Sequence, residues 1–170
     1  MSNMADSPVV KALKEALMVE IKGQQLYSHA VTQTSNPDAK KLFEMLAADE
    51  EQHTQILRTQ ISHLMTDGKF DLSDINPAEL DHGSQNVVSD EFKRSLKRGD
   101  FEMAVIGIGC DLETRAIDYY TKQAAATDDA DLKQLFTWLS EWEDDHLTQL
   151  RELEGLYQDA YWADQGFSPM

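Results

Sequence analysis

The sequence predicts an all-α fold, a four-helix bundle made of two repeated helical hairpins that are joined by a long crossover. Only 8 of its 170 residues are glycine and only 4 are proline, which favours helices over an all-β fold or disorder. Apolar residues recur at spacings of three and four along four long segments, as on one face of a helix. A residue pattern that begins at Glu20 begins again at Glu113, so both halves of the chain predict the same hairpin.

The first hairpin is predicted to contain two long helices. Ser7 is a suitable N-cap and Pro8 suits the first turn, so a helix is expected over about residues 7–34. The polar segment at residues 35–38, Ser-Asn-Pro-Asp, breaks this helix and caps the next one. A second helix is therefore expected over about residues 37–65.

Residues 66–99 are predicted to form the long crossover, with a short helix over about residues 89–97. The segment is polar and contains turn signals such as Asp67-Gly68. So long a connection is unusual inside a compact domain. It fits a segment that runs the length of a bundle, on the order of 40 Å, to join two parallel helices. The whole chain, residues 1–170, is then expected to form a single domain.

The second hairpin is predicted to contain helices over about residues 100–127 and 129–161, with a break at Asp128-Asp129. Four polar or aromatic positions of the first hairpin have a counterpart here at the same spacing. The pairs are Glu20 with Glu113, Tyr27 with Tyr120, Glu50 with Glu143, and His53 with His146. The chain therefore contains an internal repeat without gaps.

Each hairpin is expected to place two glutamates side by side at mid-height. Glu20 and Glu50 lie equally far from the turn near residue 35, roughly 22 Å along two antiparallel helices. The turn near residue 128 relates Glu113 to Glu143 in the same way. Each histidine of the repeat follows a glutamate by three positions, so it shares that glutamate's helical face.

Four carboxylates and two imidazoles are thereby predicted to converge in the core. Without partners, so many buried carboxylates would repel one another and cost several kcal/mol each, whereas two divalent cations would cancel four negative charges. Carboxylate and imidazole without thiolate suit iron first, with manganese or zinc as possible substitutes. The predicted ligands of this two-metal site are Glu20, Glu50, His53, Glu113, Glu143 and His146.

Two tyrosines are predicted to support the ligands. Tyr27 and Tyr120 lie two turns beyond Glu20 and Glu113 on the same helical faces. From there each hydroxyl can reach a ligating carboxylate of the next helix, and a hydrogen bond of this kind tunes the metal that the carboxylate binds.

With these residues the sequence resembles the ferritin-like superfamily, specifically its rubrerythrin and bacterioferritin branch. The resemblance spans residues 7–157 and is carried by two Glu-x-x-His motifs in phase with two further glutamates and two tyrosines. It implies a di-iron oxidoreductase that reacts with peroxide or dioxygen and protects against oxidative stress. The alternative that it implies is a ferroxidase or iron-binding protein for iron storage or detoxification.

Two departures from rubrerythrins affect the expected chemistry. Similar rubrerythrins usually carry a rubredoxin-like iron domain with paired Cys-x-x-Cys motifs. This sequence has one cysteine, Cys110, so a separate electron donor is expected. Rubrerythrins also usually have a further carboxylate one turn after the glutamate of the third helix, where this sequence has Ala116. The six-residue set is closer to bacterioferritin and to short, symmetric rubrerythrin-like proteins.

Composition narrows the expected partners and location. The net charge of -16 repels phosphate backbones and anionic membranes, so neither nucleic acid nor a membrane is an expected partner. No segment approaches the ~20 apolar residues of a membrane span, and a cytoplasmic protein is expected. Tyr161, Trp162 and Phe167 in the tail either cover the bundle end or contact a second subunit, and a homodimer or larger homo-oligomer is expected.

Several features of the sequence have more than one interpretation. Asp49 either belongs to a solvated face or orients a ligand histidine, and Trp142 at the matching place cannot give the same support. Gly23 and Gly109 lie one turn from predicted ligands, where they either leave room for dioxygen or peroxide or allow close helix packing. Two further functions stay open, a metal-free helical interaction module and a monooxygenase that acts on an organic substrate.

Overall fold

The described residues form four long helices and no strand, which confirms the predicted all-α, ferritin-like four-helix bundle. The helices are α1 (Pro8–Gln33), α2 (Pro37–Asp67), α3 (Asp100–Ala126) and α4 (Ala130–Asp164). No described helix is long and apolar enough to span a membrane. The computed structural model describes residues 7–73, 75, 92, 95, 100–164 and 166.

Local capping sets the start of the first two helices. The Ser7 side chain accepts a hydrogen bond from the backbone N–H of Val10 at 3.2 Å. The Asn36 side chain likewise accepts from the N–H of Asp38 at 3.0 Å. Each cap is followed by a proline at the first helical position, where its missing N–H costs nothing. At its other end α2 stops at Gly68, whose φ of 66° is left-handed.

Helices of the same hairpin pack against each other, and α1 also packs against α3. Hydrogen bonds show that α1 and α3 are antiparallel. Tyr119 donates to the carbonyl oxygen of Ala12 at 2.9 Å, and at the other end of α1 Thr34 donates to Glu102 at 2.5 Å. Since α2 is antiparallel to α1 as well, α2 and α3 run parallel.

Parallel α2 and α3 are the arrangement for which the sequence predicts a long crossover. Most of residues 66–99 lies outside the described part of the chain, and so does most of the short helix expected over residues 89–97. Of that helix only Phe92 and Ser95 are described, and both are helical. Phe92 is fully buried and belongs to the hydrophobic core.

The hydrophobic core consists of two clusters, one towards each end of the bundle. One contains Leu42 and Phe43 of the first hairpin with Leu150 of the second. The other contains Leu13 of the first hairpin with Phe136 of the second. Both clusters combine residues of both hairpins, so the bundle is one packed unit over the described helices. Between them lies a layer of buried polar residues, which forms the site described below.

The last helix is longer than predicted. It continues to Asp164 instead of ending near residue 161. After Trp162 the sequence has no glycine or proline until Gly166, which adopts a positive φ of 76°. Tyr161 and Trp162 are about half exposed on this extension, and their rings pack edge to face with centroids 5.4 Å apart.

Candidate metal centre

The structure brings all six predicted ligand residues into one buried cluster. None of the six is more than 3% exposed. Their oxygen and nitrogen atoms form two groups of four, and within each group the atoms lie within 4.8 Å of one another. The His53 group consists of Glu20, Glu50, His53 and Glu143, and the His146 group consists of Glu50, Glu113, Glu143 and His146.

The two groups share Glu50 and Glu143, so these carboxylates lie between two candidate metal positions. Each position has in addition one glutamate and one histidine of its own. This follows from the repeat, because each hairpin supplies one glutamate from its first helix and a Glu-x-x-His pair from its second. A carboxylate has two oxygens and can therefore contact a cation on either side.

Each histidine points one ring nitrogen at carboxylates of the cluster. Nδ1 of His53 lies 3.0 Å from Oε2 of Glu20 and 3.2 Å from Oε1 of Glu143. Nδ1 of His146 lies 3.1 Å from Oε2 of Glu143 and 3.6 Å from Oε1 of Glu50. Both imidazoles therefore direct the same atom, Nδ1, into the cluster, where it can bind a metal ion once it has lost its proton.

The two tyrosines connect the hairpins through reciprocal hydrogen bonds. Tyr27 of α1 donates to Oε1 of Glu113 on α3, and Tyr120 of α3 donates to Oε1 of Glu20 on α1. Burial raises the pKa of both tyrosines, and the carboxylates that they contact raise it further. Both phenols therefore remain protonated donors. Their predicted role in tuning bound metal belongs to the proposal below.

Burial and mutual repulsion shift the protons of the cluster. Burial raises the pKa of Glu50 and Glu113, and the charge of Glu143 raises both further. Burial alone would also raise the pKa of Glu143, but hydrogen bonds from His146 and His53 outweigh it and hold that pKa well below its ordinary value. Burial would lower the pKa of His53, yet its contacts with Glu143 and Glu20 raise that pKa to about 9.

The pKa of His146 is raised as well, against burial that alone would lower it, by Asp49 and then by Glu143 and Glu50. In the metal-free protein, protons on both histidines and on some of the carboxyl groups therefore offset the buried negative charge. Oε1 of Glu50 is buried without a hydrogen-bond partner among the described residues. A buried oxygen of this kind, in a set of carboxylates and imidazoles, fits a divalent cation such as iron, manganese or zinc.

The two histidines differ in the residue outside the ligand set that contacts each imidazole ring. Nε2 of His146 donates to Oδ2 of Asp49 at 3.2 Å, so Asp49 orients the histidine of the other hairpin and is not simply part of a solvated face. Trp142, the counterpart of Asp49 in the repeat, stacks on His53 with ring centroids 4.9 Å apart and an interplanar angle of 12°. The sequence predicts that Trp142 cannot support a histidine as Asp49 does, but it does not predict that the indole stacks on His53.

The two glycines near the ligands allow close packing. A Cβ atom on Gly23 would lie 2.9 Å from Cδ of Glu50, and one on Gly109 would lie 2.9 Å from the hydroxyl oxygen of Tyr27. The space beside each glycine is therefore filled by a residue of the site itself. Of the two interpretations of these glycines, the structure favours packing over a space for dioxygen or peroxide.

Replacing Gly23 with alanine is expected to weaken metal binding about tenfold. The new methyl group would displace the carboxylate of Glu50, which lies at the end of a flexible side chain, while the helix itself gains from alanine. Zinc affinity measured by competition with a chromophoric chelator checks this result. The matched control is Ala116→Gly at the repeat position, which should lower stability by about 1 kcal/mol and leave zinc affinity unchanged. Equal zinc affinity in Gly23→Ala and the wild type would contradict the role of the Glu50 carboxylate as a metal ligand.

The fold and the site define a class of protein, a four-helix bundle with a buried carboxylate–histidine cluster that can hold a pair of metal ions. A comparison with family models identifies the family. The rubrerythrin model matches residues 11–154, and the chain belongs to the rubrerythrin family. Comparisons with curated proteins and with solved structures found no match.

Membership of this family confirms the resemblance recognised in the sequence. Rubrerythrins are di-iron proteins with roles in oxidative stress or iron handling, and they typically react with oxygen or peroxide and form oligomers. The matched range includes all six residues of the cluster and both tyrosines.

Proposed function

We propose that this protein is a di-iron oxidoreductase that reduces peroxide or dioxygen with electrons from a separate donor. The observation that carries the proposal is the buried cluster in which two groups of four ligand atoms share Glu50 and Glu143. The rubrerythrin match supports it, because members of the family typically use these oxidants.

The proposed ligands are the six residues that the sequence predicts. Glu20 and His53 would hold one iron ion, Glu113 and His146 would hold the other, and the two shared glutamates would contact both. A bound pair of iron ions supplies two one-electron redox equivalents and open coordination positions for an oxidant, which protein side chains do not provide.

The protein groups around the ions fix the ligands and control protons. Tyr27 donates to one oxygen of Glu113 and Tyr120 donates to one oxygen of Glu20, so the second oxygen of each carboxylate would be available to an iron ion. Reduction of hydrogen peroxide to two water molecules requires two electrons and two protons. The hydroxyls of Tyr27 and Tyr120 keep their own protons, so the two protons come from solvent and the two electrons come from the separate donor.

The test is oxidant consumption by the iron-reconstituted protein. Loaded with two equivalents of iron(II) and supplied with a chemical reductant, the wild type should consume peroxide or dioxygen at least ~100-fold faster than Glu143→Ala, which loses a ligand of both groups. Asp144→Ala, which removes the exposed neighbouring carboxylate, is the control and should keep the wild-type rate. Wild-type and Glu143→Ala rates that do not differ would refute the proposal.

The same experiment separates catalysis from iron storage. A reducing enzyme turns over many molecules of oxidant while its iron content stays at two ions per chain. A storage protein instead oxidises and retains many iron(II) equivalents per chain without an added reductant. Iron content after repeated additions of iron(II) therefore decides between the two functions.

A further inference from the structure

A stack of aromatic rings runs from the surface of the bundle to the histidines of the cluster. On α4 the ring centroids of Trp138 and Trp142 lie 6.4 Å apart at an interplanar angle of 25°. Trp142 stacks on His53 at 4.9 Å, and the rings of His53 and His146 stack at 5.9 Å. Each distance lies within the ~4.5–7 Å at which aromatic rings are in contact. This ring stack therefore joins Trp138 to one histidine of each ligand group.

The ring stack crosses from solvent to the core. Trp138 and Trp142 are partly exposed, whereas His53 and His146 are buried. Nδ1 of each histidine faces carboxylates of the cluster, so a metal ion bound there would contact the inner end of the ring stack. The indole of Trp138, at the outer end, is accessible from solution.

A separate electron donor needs a connection of this kind. None of the six proposed ligands is more than 3% exposed, so a donor that stays outside the protein cannot touch the ions. The rate of electron transfer falls steeply with distance, because it depends on the overlap between orbitals of neighbouring groups. Rings in contact shorten each transfer, and an indole gives up an electron more readily than most other side chains.

We propose that electrons from the separate donor enter the metal centre through Trp138 and Trp142. An electron leaves Trp142 for the centre by way of His53, Trp138 refills Trp142, and the donor refills Trp138. The contact of His53 with His146 extends the route to the second ligand group. The inference rests on the proposed function, because it assumes that the bound ions react with an oxidant.

The electron balance is clearest for hydrogen peroxide added to the iron(III)-loaded protein without a donor. Reduction of one peroxide to two water molecules takes two electrons and two protons. The two ions begin and end as iron(III), so both electrons come from the protein. Each indole loses one electron and its N–H proton and becomes a neutral radical, and the two protons released equal the two taken up. A hydrogen-atom donor such as ascorbate then restores each indole with one electron and one proton.

Tryptophan oxidation in the iron(III)-loaded protein tests this route. The chain has three tryptophans, and the third, Trp162, is 49% exposed and lies outside the ring stack. Without a reductant, peroxide is expected to oxidise Trp138 and Trp142 and to spare Trp162, as measured by peptide mass spectrometry of hydroxytryptophan and kynurenine. Oxidants that diffuse through solvent would attack Trp162 first, because it is the most exposed of the three, and that result would overturn the inference. Zinc-loaded protein, whose ions undergo no redox change, is the control and should keep all three indoles intact.

Two tyrosines offer a competing route. Tyr120 donates to Glu20, and its ring contacts the partly exposed Tyr119 edge to face with centroids 5.6 Å apart. Electron paramagnetic resonance of samples frozen soon after mixing distinguishes indole radicals from phenoxyl radicals, especially in protein with deuterated tryptophan. The indole signal is expected. Phenoxyl radicals at Tyr119 or Tyr120 with intact indoles would also overturn the inference.

Variants of the three tryptophans test the order of the rings. Trp142→Phe keeps an aromatic ring beside His53 but replaces the indole with a ring that is much harder to oxidise, so the Trp138 product should be lost. Trp138→Phe should keep the Trp142 product, because Trp142 still stacks on His53. Trp162→Phe is the matched control and should show the wild-type products at both positions. Undiminished oxidation of Trp138 in Trp142→Phe would contradict the proposed order.

These results are distinguishable from a failure of the proposed function. Indole oxidation in a protein that does not sustain peroxide reduction with ascorbate would leave the route standing and remove the proposed function. Sustained peroxide reduction with ascorbate, in a protein whose Trp138 and Trp142 stay intact when ascorbate is withdrawn, would do the reverse. Intact indoles in a protein that does not consume peroxide would remove both.

Discussion

Zinc(II) in large excess over its Kd, with an ion in each of the two positions, is expected to raise the melting temperature of the metal-free protein by roughly 15–30 °C. An ion that binds only the folded state adds ~4 kcal/mol when its free concentration is 1,000 times its Kd, and 1 kcal/mol corresponds to ~2–4 °C for a protein of this size. The structural reason is the buried cluster, whose four glutamates approach one another closely and gain most from cations. Thermal unfolding followed by circular dichroism, in zinc and in EDTA, measures the shift.

The variant Glu50→Gln is expected to lose most of this stabilisation by zinc without destabilising the metal-free protein. Burial and Glu143 raise the pKa of Glu50, so the metal-free protein favours a neutral side chain there, and glutamine is neutral and of similar shape. Glu51→Gln changes the adjacent carboxylate, which pairs with Gln55 outside the cluster, and serves as the control. A full zinc-dependent shift in Glu50→Gln would show that Glu50 does not hold the metal.

The stability of the metal-free protein is expected to fall as pH rises from about 6.5 to 9. His53 has a folded-state pKa of about 9, above its ordinary value of 6.5. A raised histidine pKa contributes stability that is complete below pH ~6.5 and lost as pH rises through ~9. Such a shift corresponds to about 3 kcal/mol. The raised pKa values of Glu50 and Glu113 act in the same direction, because folding binds their protons more tightly.

Urea unfolding in EDTA at several pH values measures this dependence. Metal binding should show the opposite trend, since the ions displace protons from the same groups and their affinity therefore rises with pH. Glu143, whose pKa is lowered, contributes stability above its ordinary pKa and loses it only in acid, so it does not affect this window. The variant His53→Phe is the control. If the free energy of unfolding of the metal-free wild type stayed constant from pH 6.5 to 9, the conclusion that His53 is protonated in the folded protein would be contradicted.

The sequence predicts the fold and the composition of the cluster because the same pattern occurs twice. A single Glu-x-x-His motif occurs often by chance, but Glu50 with His53 and Glu143 with His146 stand in phase with two further glutamates. Equal distances from a turn place residues of antiparallel helices at the same height, so the convergence follows from helix geometry alone. The structure places all six residues within the cluster.

Contacts between the hairpins were less predictable. The sequence leaves two interpretations of Asp49, a solvated residue or a support for a histidine, and spacing along one helix does not show that the partner is His146 of the other hairpin. The stack of Trp142 on His53 depends on side-chain rotamers as well as on how the hairpins pack. The sequence shows a glycine at position 23, one turn from a predicted ligand. A glycine there is compatible both with close packing against Glu50 and with an open space, so the contact itself could not be predicted.

The division of ligands between the hairpins has a consequence for how such a centre can change. Each group of four takes three residues from one hairpin and one from the other. Two separate copies of a single hairpin, related by a twofold axis, could assemble the same ligands, but they would carry identical residues on both sides. Fusion into one polypeptide removes that constraint. A substitution of a residue that belongs to one group only, such as Glu20 or Glu113, then alters one side of the centre alone, which a symmetric pair of identical chains cannot achieve.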